Sequence, residues 1–286
     1  MTVGEALAAT TARLATAGVP TPDVDARWLL QSVVGGPGAR VPRVRLDSRR
    51  PLHSEAAARL AEYVTRRVRR EPLQLILGSV GFRHLDLLVR PEVFVPRPET
   101  EVLAGMAIAA LPAGGGGVVV EPCTGTGAVA CAVASEASPR LVVATDTSAA
   151  AVQLAQDNAA RAEVAVDVRL GDLLDPVPAD LRGEVDVLVS NPPYLAAGEL
   201  RGLEPEVVNW DPHDALVAGP TGHEISDRLI LQAPQWLADG GWLVVEVDPE
   251  RAAATVARMT AAGLADARMH NDLTGAARIV TARHGA

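Results

Sequence analysis

From about residue 98 onward, short apolar runs alternate with segments that have the apolar spacing of helices. Strands that are apolar on both faces and are separated by helices form a parallel sheet covered on both sides. A final stretch, ARMHNDLTGAARIVTAR, adds one or two late strands. The pattern therefore predicts an α/β, Rossmann-like domain. Its other predicted strands lie in GGVVVEPC, LVVATD, VAVDVRLGD, VDVLVSN and GGWLVVEV.

The first quarter of the chain has a different pattern, because Ala, Leu and Arg dominate and apolar residues recur at helical spacing. Thr21 is a plausible N-cap, and Pro22 suits the first position of the helix that follows. Near residue 72 the runs become shorter and contain glycines, which favours a β-hairpin. We expect a helical substrate-recognition domain over 1–75, a β-hairpin linker over 76–97 and an α/β domain over 98–286.

The charge balance argues against a nucleic acid as the main partner. The formal net charge is -9 and the isoelectric point is about 5.2, whereas proteins that bind a duplex are usually basic. We interpret the basic stretches RVPRVRLDSRRP and RRVRR as solvated faces of the helical region. All 26 basic residues are arginines, which excludes a catalytic Schiff-base lysine and the lysine of a P-loop.

The cysteine and histidine pattern indicates a protein of a reducing compartment without a structural metal. Cys123 and Cys131 are too few for a disulfide framework, which favours the cytoplasm. The six histidines show no spacing typical of metal ligands. The N-terminus has the pattern of an amphipathic helix rather than a signal peptide, and no apolar run is long enough to span a membrane.

A glycine-rich turn follows the first predicted strand in VVVEPCTGTGAVACAVA. Gly125 and Gly127 allow the backbone to approach a ligand closely, and the start of the next helix supplies free N–H groups. The turn fits the dinucleotide fingerprint of NAD enzymes and equally the nucleoside-binding loop of S-adenosylmethionine (SAM) enzymes. A turn that serves packing alone is the third alternative.

Two carboxylates follow the next two predicted strands. Asp146 can accept hydrogen bonds from ribose hydroxyls, which suits either NAD or SAM, and its alternative role is that of a helix N-cap. Asp172 follows the third strand and can accept from an adenine amino group; its alternative role is that of a turn residue. Both lie where the carboxyl ends of parallel strands bind ligands.

The sequence SNPPYL ends the fourth predicted strand and favours a methyltransferase. Two prolines stop the strand and stiffen the loop. The Asn191 side-chain oxygen and the Pro192 carbonyl can each accept one N–H of a planar nitrogen group, and Tyr194 can pack against that group. Such positioning suits a nitrogen with a delocalised lone pair, which is a poor nucleophile. The alternative is a rigid turn without a ligand.

Together these motifs resemble, in order, those of the HemK/PrmC family of protein-(glutamine-N5) methyltransferases. That family modifies the Gln of the GGQ motif in peptide chain release factors. The resemblance implies a class I SAM-dependent methyltransferase fold, with a mostly parallel seven-stranded sheet and a small N-terminal helical domain. The matching segments are EPLQLILGSVGF, FVPRPETE, GTGAVA, TDTS, SNPPYL, VNWDPHDALVAGPTG, GGWLVVEVDPE and NDLTGAARIV.

The resemblance also implies a set of site residues. Catalysis would rest on Asn191, Pro192 and Tyr194. For Arg97 and Glu99 of the entry motif PRPETE, the alternative to a site role is a local ion pair between the two side chains that anchors the linker. SAM would be held by Glu121, Cys123, Thr124, Gly125, Gly127, Asp146, Thr147, Asp172, Leu173 and Asn191. The acceptor would contact Phe94, Arg97, Glu99, Asn191, Pro192, Pro193 and Tyr194.

The chain departs from the family pattern in two places. The usual D-L-G-T-G-S-G loop is EPCTGTG here, so that Glu121 keeps the acid while a side chain at Cys123 would crowd the methionine end of SAM. The late E-I-G…Q is EVDPE. Besides a release factor methyltransferase, three alternatives stay open: a methyltransferase for a small amide, amine or guanidine, a SAM-binding protein without turnover, and an NAD-dependent oxidoreductase.

Overall fold

A computed structural model describes residues 1–35 and 46–285. The described residues form two compact units, the first of residues 1–78 with 204–210 and the second of residues 79–203 with 211–285. Part of the basic stretch RVPRVRLDSRRP, residues 40–45, lies outside the described residues. Four helices open the first unit: α1 Val3–Thr16, α2 Pro22–Val34, α3 Ser54–Val68 and α4 Leu73–Leu77.

Local sequence explains where the first helices begin. Thr2 caps α1, where its hydroxyl accepts from the Glu5 N–H and the Glu5 carboxylate accepts from the Thr2 N–H. Thr21 is the N-cap residue of α2 and Pro22 occupies its first turn, as the sequence predicts. The Thr21 hydroxyl makes no capping hydrogen bond to the backbone of α2 and donates to the Asp25 side chain. Leucines and valines of the helices, such as Leu14, Leu29 and Val64, form one core.

The basic segment Arg66–Arg70 is not simply a solvated face, so that interpretation is wrong for part of it. Arg67 is 5% exposed and forms ion pairs with Asp25 and Glu206. Arg70 also pairs with Glu206. Because these guanidinium groups are paired with carboxylates of the first unit, they are not available to bind a phosphate backbone.

The second unit begins with a β-hairpin of β1, Ser79–Phe82, and β2, Leu85–Leu88. The helices that follow are α5 Thr100–Ala110, α6 Ala128–Ala137, α7 Ala149–Arg161, α8 Pro205–Val208 (grouped with the first unit), α9 Glu224–Trp236 and α10 Ala252–Ala261. The remaining strands are β3 Val118–Pro122, β4 Leu141–Asp146, β5 Asp167–Leu170, β6 Val185–Ser190, β7 Leu195–Ala196, β8 Val217–Gly219, β9 Leu237–Glu246, β10 Ala265–Asn271 and β11 Ala277–Arg283.

Seven strands form the central sheet in the order β10-β11-β9-β6-β3-β4-β5. The pairs among β3, β4, β5, β6 and β9 are parallel, and β11 runs antiparallel to both of its neighbours. Two apolar clusters contain buried residues of the sheet and of the helices. The predicted α/β, Rossmann-like fold with a mostly parallel seven-stranded sheet and an N-terminal helical region is confirmed.

The strand order positions the candidate site. From β3 the chain proceeds outward through β4 to β5 and then returns to place β6 on the other side of β3. Ligands of such sheets bind outside the carboxyl ends of the strands, where the order reverses. The glycine-rich turn follows β3 and the SNPPYL segment follows β6, so both predicted motifs lie at this switch point.

Candidate active site

The two glycines of the turn after β3 have different roles. Both have positive φ angles, 55° at Gly125 and 76° at Gly127. A Cβ at Gly127 would lie 2.9 Å from the Cβ of Ala155, so this glycine is required for the packing of α6 against α7. A Cβ at Gly125 would meet no atom within 4 Å. The open side at Gly125 is where a ligand can approach the backbone.

The buried side chain of Glu121 supports the glycine-rich turn through two hydrogen bonds. Its side-chain Oε2 accepts hydrogen bonds from the Thr124 hydroxyl at 2.7 Å and the Ala130 N–H at 2.8 Å. Glu121 is 3% exposed, and this burial raises the pKa of its carboxyl to about 8. The proposed contact of Glu121 with SAM stays a prediction, but its support of the turn and of the start of α6 is clear from these bonds.

Asp146 holds the other side of the turn. One carboxylate oxygen accepts from the Gly125 N–H and the other accepts from the Ser148 N–H, both at 2.9 Å. Burial raises the pKa of Asp146, and the backbone hydrogen bonds oppose that shift. Because each carboxylate oxygen has more than one acceptor site, Asp146 keeps the capacity to accept from a ribose hydroxyl. Thr147, the next residue, is exposed.

Asp172 already has an ion-pair partner within the protein, although its position after β5 predicts a contact with a ligand. It is half-exposed and pairs with Arg228 at 2.6 Å. The neighbouring Leu173 is buried with a φ of 45°, and its carbonyl accepts from the Thr145 hydroxyl. The assignment of Asp172 to an adenine amino group therefore stays a prediction, with the Arg228 ion pair as a competing partner.

Cys123 occupies a left-handed position, with a φ of 59°, where the family pattern has glycine. Burial raises the pKa of its thiol to about 12, so the thiol is neutral near pH 7 and is not a nucleophile. The Ser190 hydroxyl donates to the Pro122 carbonyl at 2.8 Å and opposes the rise in the pKa of this thiol. These contacts join the turn after β3 to the end of β6.

Asn191 is the first residue beyond β6, and its amide has a defined direction. The amide nitrogen Nδ2 donates to the Thr100 hydroxyl oxygen at 3.3 Å. The amide oxygen Oδ1 is thus the end that remains to accept an N–H from a ligand. Pro192 is buried, while Asn191 and Pro193 are partly exposed. The Asn191 amide is therefore oriented so that its oxygen can accept a hydrogen bond from the N–H of an amide ligand.

Tyr194 completes the loop and carries a neutral phenol. Burial, together with the negative charge of Glu246, raises the pKa of Tyr194 to about 12. A neutral, partly buried ring is suited to packing against a flat group and not to removing a proton near pH 7. Its predicted contact with the acceptor is consistent with this environment.

The entry motif PRPETE is anchored differently from the local ion pair considered above. Arg97 pairs with Asp211, and its guanidinium lies 4.7 Å from the centroid of the Phe94 ring. Burial raises the pKa of Asp211, although Arg97 opposes that shift. The motif is thus tied to Asp211, 114 residues away along the chain, and the Arg97 guanidinium stacks on the Phe94 ring.

Thr100 and Glu246 lie within the motif segments FVPRPETE and GGWLVVEVDPE, which assign neither of them a role, and the structure places both near Asn191. Glu246 ends β9, is 2% exposed and hydrogen-bonds to the Thr100 side chain. Burial raises the pKa of the Glu246 carboxyl to about 7. The signal that could have revealed it is an acid at the end of an otherwise apolar strand, GGWLVVEV, because such an acid is rarely buried without a partner.

Two family models match the chain: the PrmC N-terminal domain over residues 5–78 and the methyltransferase small domain over residues 98–203. A release factor glutamine methyltransferase of Mycolicibacterium smegmatis is 42% identical over 282 residues, which cover 97% of this chain and 96% of the relative. The chain belongs to the release factor glutamine methyltransferase family. The HemK/PrmC resemblance of the sequence motifs is thereby confirmed.

A second curated relative supports the family, and a solved structure supports the fold. The release factor glutamine methyltransferase of Streptomyces coelicolor is 41% identical over 97% of this chain and 96% of its own length. A solved methyltransferase from Pyrococcus furiosus, 19% identical, aligns with a TM-score of 0.53 over 82% of this chain and 100% of that one. This structural likeness supports the fold, and the family membership removes the NAD-dependent alternative.

Within residues 1–35 and 46–285, no group of three or more His, Cys, Asp or Glu side chains is placed to hold a metal ion. In the same part of the chain, no helix combines the length and the apolar character needed to cross a bilayer.

Proposed function

We propose that this protein transfers a methyl group from SAM to the side-chain amide nitrogen of a glutamine, the Gln of the GGQ motif in a peptide chain release factor. The observation that supports it most directly is the orientation of Asn191. Its Nδ2 is bonded within the protein, which leaves Oδ1 for an N–H of the acceptor. Full-length similarity to release factor glutamine methyltransferases supports the choice of acceptor.

The turn after β3 fits the cofactor that the family implies. The open space at Gly125 admits close approach of a ligand to the backbone, and Asp146 offers carboxylate oxygens at the end of the adjacent strand β4. SAM, when bound, supplies an electrophilic methyl group on a sulfonium. Leu173 and Asp172 follow β5 and are the residues proposed to line the adenine end. The neutral thiol of Cys123 does not compete with the acceptor for the methyl group.

The chain's own residues supply positioning for the acceptor. An amide nitrogen is a weak nucleophile because its lone pair is delocalised. Asn191 Oδ1 and the Pro192 carbonyl each accept one N–H, which directs the nitrogen toward the methyl group, and alignment of this kind lowers a barrier by about 7–11 kcal/mol at best. The nitrogen would gain the methyl group as the sulfonium becomes a neutral thioether, and it would then be acidic and release one proton to water, so a strong base is not required before transfer.

The partner is proposed to be a protein rather than a small metabolite. Residues 5–78 match the PrmC N-terminal domain, and the relatives that are similar over almost their whole length are named as release factor glutamine methyltransferases, which supports a protein acceptor. A stable nucleic-acid complex is not expected, because the net charge is -9 and the buried Arg67 is neutralised by carboxylates. Cys123 and Cys131 are both free, which suits the reducing cytoplasm as the proposed compartment.

The test is transfer of label from methyl-labelled SAM to a recombinant release factor. We expect one label per factor, on the GGQ glutamine, and none on the same factor with that Gln changed to Glu. The matched enzyme control is Asn191→Ala. Label on a small amine or guanidine but not on the release factor would reject the proposed acceptor, and SAM binding without transfer to any acceptor would reject the activity.

A further inference from the structure

We propose that Thr100 and Glu246 are positioning residues that fix the direction of the Asn191 amide, so that Oδ1 and not Nδ2 faces the acceptor. The inference rests on the proposed function, because the direction matters only if the acceptor presents N–H groups. It adds two residues, from the start of α5 and the end of β9, to those that the sequence motifs suggest.

The three side chains form a short hydrogen-bonded series. Asn191 Nδ2 donates to Thr100 Oγ1 at 3.3 Å, and the Thr100 side chain, acting as a hydrogen-bond donor, lowers the pKa of the neighbouring Glu246 carboxyl. Thr100 is 4% exposed and Glu246 is 2% exposed, so water has little access to either. The sheet places the ends of β6 and β9 side by side, since Ser190 is paired with Val245.

The chemistry of the groups gives this series one direction. An ionised carboxylate only accepts hydrogen bonds, so the Thr100 hydroxyl hydrogen points to Glu246. The hydroxyl oxygen then presents a lone pair to Asn191, and only the NH₂ end of the amide can satisfy it. A reversed amide would set Oδ1 against that lone pair, which leaves two buried acceptors unsatisfied.

A carboxyl group at Glu246 has no evident structural purpose. Its Oε2 is buried without a hydrogen-bond partner among residues 1–35 and 46–285. A buried, incompletely bonded acid weakens a fold compared with an apolar residue of similar volume. An orienting role for the acid accounts for its presence at the tip of an apolar strand, beside the loop that carries Asn191.

The charge on Glu246 should therefore matter for turnover. The charged or titratable groups that act on it are Arg278, which favours ionisation, and Glu99 and Asp272, which oppose it. Tyr194 is the other titratable neighbour and stays neutral near pH 7. A protonated Glu246 can donate to Thr100 and removes the fixed direction. Turnover is thus expected to rise as Glu246 ionises, near its pKa of about 7.

The decisive variants are Thr100→Val, which keeps the shape but removes the hydroxyl, and Thr100→Ser, which restores it. We expect Thr100→Val to lower kcat for the release factor by roughly 10- to 100-fold. SAM affinity by calorimetry should change by less than about twofold, which is well under 1.4 kcal/mol. Thr100→Ser should recover most of the lost turnover, because its hydroxyl makes the same two hydrogen bonds.

Glu246 is tested by Glu246→Gln against Glu246→Met. The Gln side chain can donate to Thr100, as a protonated acid does, and it does not titrate, so its turnover should stay near the low-pH turnover of the parent and the rise near pH 7 should disappear. Glu246→Met removes the acceptor and should resemble Thr100→Val. Melting temperatures of all four variants with SAM report any general loss of structure.

Each outcome has a meaning. Equal turnover of Thr100→Val and the parent overturns the inference, as does a loss in Thr100→Val that Thr100→Ser fails to recover. A fall in SAM affinity or melting temperature parallel to turnover shows a structural role and also overturns it. If the parent protein itself does not label the release factor, the proposed function fails instead, and this result is distinct from the others.

Discussion

The turn after β3 and the loop after β6 meet at the switch point of the sheet, yet they are built in different ways. After β3 the path of the chain depends on backbone conformation, with positive φ angles at Cys123, Gly125 and Gly127. After β6 it depends on two prolines and on the hydrogen bond from Asn191 to Thr100. The first region leaves open space beside Gly125, and the second fixes the direction of the Asn191 side chain.

Each region has a buried acid behind it, and the two acids do different things. Glu121 accepts from the Thr124 hydroxyl and the Ala130 N–H and so holds the shape of the turn. Glu246 contacts the Thr100 side chain and so acts on the direction of an amide. A buried acid can thus support the shape of a backbone turn, when a backbone N–H is among its partners, or the orientation of a side chain, when its partner is a hydroxyl that contacts that side chain.

The largest expected effect separates the two regions by function. Asn191→Ala should lower kcat by roughly 10²- to 10³-fold, about 2.7–4 kcal/mol. The substrate amide nitrogen would then keep only one of the two oxygens that are proposed to bind its N–H groups. SAM affinity should stay within about threefold of the parent, or about 0.7 kcal/mol. Steady-state kinetics and calorimetry measure the two quantities. Normal turnover in this variant would show that the loop after β6 does not hold the acceptor.

The next effect concerns the acid under the turn after β3. Burial raises the pKa of Glu121 from 4.5 to about 8, so the folded protein keeps a proton that the unfolded chain releases. Its stabilising contribution is complete below about pH 4.5 and is lost as the pH rises toward 8. Relative to Glu121→Gln, the free energy of unfolding should fall by a few kcal/mol from about pH 5 to about pH 8. Urea titrations at both pH values measure it, and a constant difference would contradict the raised pKa.

A pair of alanine variants tests the division of roles between the glycines. Gly127→Ala should lower the free energy of unfolding by about 1–3 kcal/mol more than Gly125→Ala, because only its Cβ would collide with Ala155, at 2.9 Å. Both variants share the strain of a left-handed residue, about 1–2 kcal/mol. Denaturant unfolding without SAM compares them. Equal destabilisation would mean that Gly127 is not a packing residue.

The smallest effect tests the cofactor side. Asp146→Ala should weaken SAM binding by about tenfold, or about 1.4 kcal/mol, while the acceptor KM at saturating SAM changes little. The matched control is Asp172→Ala, which should have a smaller effect because Asp172 is half-exposed and paired with Arg228. Calorimetry of both variants decides it. If the acceptor KM changed instead, Asp146 would belong with the loop after β6.

Much of the fold was accessible from local pattern. The alternation of apolar runs with helical segments predicts β3 to β6 and β9, and the glycines and the Asn-Pro-Pro-Tyr sequence mark the two regions at their ends. The solvated face predicted for Arg66–Arg70 is wrong for part of that segment. Charge alone does not show that Arg67 lies against Asp25 and Glu206, the second of which comes from a distant part of the chain.

The sequence by itself determined the strands, the turn chemistry and the stiff loop at Asn191, because each depends on neighbours within a few residues. Only the tertiary structure decided that Arg97 pairs with Asp211 and that the Thr100 hydroxyl accepts from the Asn191 amide, 91 residues away along the chain. Those partners follow from strand order and register. The pairing of β6 with β9 brings Glu246 into the neighbourhood of Asn191, and no local pattern contains that information.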